Sequence, residues 1–115
     1  MNKNNVFLIF LLLVTCKINA SQQKLEIEEL LIFGEVYAQI TVCMTHAHKL
    51  KKYDQVAAFI RIFDNMSSRV DDLSKSDSEF FYKVVSGHIG DIDERSNKEI
   101  SEMCNEIFDV MVSSD

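Results

Sequence analysis

The stretch LEIEELLIFGEVYAQITVCMTHAH, residues 25–48, decides the fold. Its apolar residues Leu30, Phe33, Tyr37, Ile40, Met44 and Ala47 recur at steps of three and four, the period of a helix with one buried stripe. A half-buried strand would alternate at every second residue instead. At 24 residues the element spans about 36 Å. Val36, Ile40, Cys43 and Ala47 form a neighbouring row, so Cys43 is expected to point inward. Gly34 inside the pattern either weakens the helix or lets a second helix approach closely. Lys49, Lys51 and Lys52 follow directly, where the negative end of a helix dipole favours cations.

The rest of the chain repeats the same period. With 115 residues, three Gly and no Pro, it has room for one compact domain and lacks the turn residues of a sandwich or barrel. Tyr53, Val56, Ala57, Ile60 and Phe63 form a second stripe, which Phe59, Met66, Val70 and Leu73 extend, helical to about residue 70. Ser76-Asp77-Ser78-Glu79 reads as a capping box that opens a third helix along Phe80, Phe81, Val84, Val85, His88 and Ile92. Gly87 and Gly90 fall inside that stripe, so the third helix is expected to stop at Ser86 or to kink there, with a loop over residues 90–97. Ser96-Asn97-Lys98-Glu99 is a second capping box, and Ile100, Met103, Cys104, Ile107 and Met111 carry a fourth helix, with Phe108 on its shoulder. The expected fold is all-α: a small four-helix bundle in which a Cys43–Cys104 disulfide links the first and last helices. In the chain-entropy account, closing a loop of this length stabilises the fold by up to about 4 kcal/mol.

Residues 1–20 differ in kind. Lys3 lies in a polar start and residues 6–14 (VFLIFLLLV) are unbroken apolar, the n-region and h-region of an export signal. The run is well short of the roughly 20 apolar residues of a membrane span. Ile18 and Ala20 occupy the −3 and −1 positions for cleavage after Ala20, which leaves one helical domain over residues 21–115. A rival signal overlaps it: Leu13-Val14-Thr15-Cys16 resembles a lipobox, in which Cys16 would be lipidated and would hold the protein on a membrane. Either route places the protein outside the cytoplasm, periplasmic or secreted. Cys43 and Cys104 remain as an even pair in an oxidising compartment.

Charge narrows the partners. The whole chain carries a net charge of −6, and residues 21–70 balance their acids and bases. The excess lies in residues 71–115, where Lys75, Lys83, Arg95 and Lys98 are the only cations. Nucleic acid would be repelled by that half, whereas a basic protein partner would be steered to it. Within it, Gly87-His88-Ile89-Gly90-Asp91-Ile92-Asp93-Glu94 gathers a histidine, two glycines and three carboxylates. The octet lacks the ligand alternation of a calcium loop, and no nucleophile is spaced beside His88. His88, Asp91, Asp93 and Glu94 are therefore the candidate partner-binding residues.

Met44, His46 and His48 are weak metal candidates. Residues two apart on a helix diverge, and although Met44 and His48 share a face, no further ligand announces itself. Cys43 and Cys104 fall in apolar stripes, where a thiol is structural rather than nucleophilic. These readings point away from an enzyme and from any cofactor. They favour an exported protein that binds a partner protein in the envelope or extracellular space, as an inhibitor, immunity or accessory factor. A ligand or metal carrier of the periplasm and a secreted eukaryotic helical factor are the alternatives. In size, leader, helical content and cysteine spacing the chain loosely resembles the periplasmic immunity proteins that neutralise amidase toxins, a resemblance that rests on no residue motif.

Overall fold

A computed structural model describes residues 26–113. The leader, Cys16 and both cleavage alternatives lie outside the described residues. Four helices follow one another: α1 Ile27–Lys49, α2 Tyr53–Asp71, α3 Lys75–Asp93 and α4 Asn97–Ser113. No strand occurs among the described residues.

The bundle is built around α1, on which α2, α3 and α4 each pack, while α2 also touches α4. Tyr37 meets Phe63 and Ser67, and His48 meets Tyr53, so α1 and α2 run antiparallel. By length and composition α1 is also, among the described residues, the one helix that could cross a membrane. Half of its most apolar window is buried in the bundle, as the central helix of a helical core requires.

Three phenylalanines anchor the core. Phe33, Phe59 and Phe81 are fully buried, each contributing about 1.5–3 kcal/mol of transfer free energy. Phe33 and Tyr37 both stand edge-on to Phe81, with ring centroids 5.1 and 5.2 Å apart, and Phe59 meets Phe108 at 6.3 Å. At Gly34 α1 and α3 pack too closely for a side chain: a Cβ on it would lie 2.6 Å from Val84 Cγ1. Of the two readings of this glycine, close helix approach holds. Cys43 and Cys104 are both buried and bonded, 5.5 Å apart at Cα, joining the first helix to the last.

Two expectations about α3 need correction. Its cap is Ser74, whose Oγ accepts from the Asp77 backbone N–H at 3.2 Å, and Ser76 lies inside the first turn. Ser74 and Asp77 have the same spacing as Ser76 and Glu79, and the earlier start wins because Leu73 just before it packs on the core. The helix then runs unbroken through Gly87 and Gly90 to Asp93, and the link to α4 is residues 94–96 rather than 90–97. Phe81, Val85 and Ile92 keep burying one side across both glycines, so tertiary packing overrides their weak helix propensity. The second capping box forms as read. Glu99 Oε1 accepts from the Ser96 N–H and hydroxyl at 3.2 and 3.0 Å, and the Glu99 N–H donates to Ser96 Oγ at 3.2 Å.

Candidate functional site

The residues singled out in the octet lie in the last two turns of α3 and the residue after it. Asp91, Asp93 and Glu94 are exposed and His88 is half-buried. At 3.6 residues per turn the buried side of α3 runs through Phe81, Val85 and Ile92, and the outward side through Glu79, Lys83, Gly90 and Glu94. Asp93 falls on one flank of that outward face with Tyr82 and Ser86. Asp91 falls on the other with Phe80. The three carboxylates therefore fan across the end of the face rather than meeting at a point, and His88 lies on the inner side of the helix.

Sequence reasoning placed Phe80 on the buried stripe and passed over Tyr82, and both belong to this face, 38% and 47% exposed. Tyr82 stands edge-on to Phe81 at 5.3 Å, and its partial burial, with Tyr37 and Asp71 nearby, raises its pKa above the usual 10.0. A shallow pocket of about 560 Å³ opens beside it, lined by Ser78, Glu79, Tyr82, Lys83 and Ser86. Beyond the pocket, Ser86, Gly87 and Gly90 leave the helix backbone thinly covered: a Cβ at either glycine would meet nothing within 4 Å. The face thus offers two aromatic edges, a flat strip between them and a negative end.

The histidines of α1 diverge as their spacing requires. His46 Nε2 is 2.7 Å from Ser101 Oγ, a tie between α1 and α4 one turn beyond the disulfide. Its partial burial, together with the charges of Lys52 and Lys49, holds its pKa below 6.5. A Ser–His bond of this length is also the first element of an activated hydroxyl, which would further need a group orienting the imidazole and space for a reacting carbon. His48 points to solvent and stands edge-on to Tyr53 at 6.3 Å. Met44 is half-buried against the core. The structure does not bring Met44, His46 and His48 into one ligand set, and among the described residues no three His, Cys, Asp or Glu side chains gather to hold a metal. Asn105 Oδ1, accepting from Gln55 Nε2 at 3.1 Å and Lys52 Nζ at 3.4 Å, is a further tie of α4 to the start of α2.

In comparisons with protein families, curated proteins and solved structures, no family, protein or structure matches this chain.

Proposed function

We propose that the protein is an exported binding module whose protein partner docks across the outward face of α3. One observation carries the reading: the second half of that helix holds two glycines that make room for no neighbour and carboxylates at the helix end that disfavours them. Gly87 and Gly90 each lower helix stability by up to about 1 kcal/mol relative to alanine, and neither makes room for a neighbour, unlike Gly34. Asp91 and Asp93 occupy the last turn, with Glu94 directly after it, where the dipole disfavours negative charge, and no basic residue stands in that turn. Stability withheld in this way fits a surface selected for what touches it. A partner with a basic rim and an apolar centre would find carboxylates at one end, Phe80 and Tyr82 at the flanks, and backbone it can approach closely between them.

On this reading the protein acts by covering a site on a larger protein. Export is supported by the apolar run of residues 6–14 and by the paired cysteines. A photo-crosslinking side chain at Ser86 should yield one discrete protein adduct in the producing cell, lost when Gly87→Arg is added. The same probe at Arg61, on the exposed side of α2, should yield none. No adduct from position 86, or equal adducts from both positions, contradicts the proposal. N-terminal mass spectrometry tests export separately: a free Ser21 or a lipidated Cys16 is expected, and an intact Met1 on the accumulated protein overturns it.

A further inference from the structure

The turn between α1 and α2 presents His48-Lys49-Leu50-Lys51-Lys52-Tyr53, a run of cations and apolar side chains with no carboxylate, in a chain whose net charge is −6. Its backbone is rigidly set. The Lys51 N–H donates to His48 O at 3.1 Å and the Lys52 N–H to Ala47 O at 2.9 Å, the two bonds of a Schellman closure. That closure needs a left-handed residue just past the helix, and Lys51 fills the place with φ 58°, among the described residues the only non-glycine at positive φ. Glycine would remove the strain. A single cation at Lys49 would already complement the helix dipole, so helix stability does not explain a lysine at the apex. Nor does the core explain the apolar pair: Leu50 is 48% and Tyr53 61% exposed.

We propose that this turn docks the protein onto an anionic lipid surface, with Leu50 and Tyr53 entering the headgroup layer and Lys49 and Lys51 facing the lipid phosphates, backed by the charge of Lys52, whose Nζ lies 3.4 Å from Asn105 Oδ1. The chemistry favours a lipid surface over an acidic protein. The run is six residues long, where a standard protein interface takes roughly 20–30 residues a side. Its cations are lysines, which suit a diffuse field of charge better than the planar fork of arginine suits it. An aromatic residue with a polar tip beside lysines is the residue mixture of interfacial anchoring. The inference is independent of the partner proposed for α3.

The test is co-sedimentation of the processed, disulfide-bonded protein with vesicles of phosphatidylcholine, with or without 30 mol% (about one lipid in three) phosphatidylglycerol. Partitioning should be about a hundredfold stronger with the anionic lipid, roughly fivefold per lysine, and should collapse at about 1 M salt, where the screening length shrinks to about 3 Å. Lys51→Gly relieves the strained backbone, so it should fold at least as well as the parent while binding about fivefold more weakly. The triple change Lys49→Gln, Lys51→Gln, Lys52→Gln should abolish the preference for anionic vesicles with an unchanged circular dichroism spectrum. All variants share one processed N-terminus, so any affinity of that end cancels. Equal partitioning into neutral and anionic vesicles, no binding to anionic vesicles at low salt, or binding unchanged in the triple variant overturns the proposal. So does loss of a protein cross-link, without any vesicle binding, when the lysines are replaced.

Discussion

Single residues in this bundle divide into those the packing requires and those it does not. Gly34 belongs to the first group, since Val84 occupies the space its Cβ would take. Gly87 and Gly90 belong to the second. His46 joins the first through its 2.7 Å bond to Ser101, and its titration should be visible in the stability of the whole protein. Burial and then Lys52 and Lys49 hold its folded pKa below the ordinary 6.5, so the unfolded chain binds the proton more readily. The resulting contribution is fully present above pH 6.5 and is lost as pH falls from there toward the lowered folded value. Urea midpoints between pH 7.5 and 5.5 should therefore decline for the parent and decline less for His46→Gln, which keeps a polar partner for Ser101. An identical decline in both proteins contradicts this assignment. The bond itself was not legible in the chain, because positions 46 and 101 belong to no motif and only the packing of α4 on α1 brings them together.

At the scale of the helices, the sequence pattern and the structure agree where burial and period carry the same message. The first helix and the Ser96 cap are read correctly because period and burial coincide there, whereas the second helix has the expected extent but not the expected stripe: Tyr53, Ala57 and Ile60 are exposed, Val56 and Phe63 half-buried, and the buried side runs through Phe59, Met66 and Val70. Along α3 the pattern is ambiguous. Phe80, Phe81 and Tyr82 are consecutive, so they point in three directions, and only Phe81 is fully buried. Nothing in the order of the three residues says which one turns inward. That ambiguity hid the exposed aromatics of the candidate face. The overlapping Ser-x-x-acid patterns hid the cap in the same way, and here a substitution decides. Ser74→Ala should destabilise the protein by about 1 kcal/mol, the ordinary cost of losing an N-cap, whereas Ser76→Ala should be neutral within about 0.5 kcal/mol, as surface substitutions away from such features are. Equal effects in chemical denaturation would contradict the assignment of Ser74.

For the molecule as a whole, the disulfide fastens α4 to the central helix across 61 residues of sequence. It was legible in the chain because two inward cysteines remained after the leader was set aside. Replacing both, as Cys43→Ala with Cys104→Ala, should lower stability by about 2–4 kcal/mol, with a reduced urea midpoint and little change in helical signal under native conditions. An unchanged midpoint would show that helix packing alone holds α4. Against this well-tied interior, the weak end of α3 stands out, and the account rests on its weakness serving binding rather than folding. The most direct measurement is the unfolding free energy of the double variant Gly87→Ala, Gly90→Ala. Because both positions face open space, the account predicts a gain of about 1–2 kcal/mol over the parent. An unchanged or lower unfolding free energy would mean that the fold itself needs these glycines, and would contradict it.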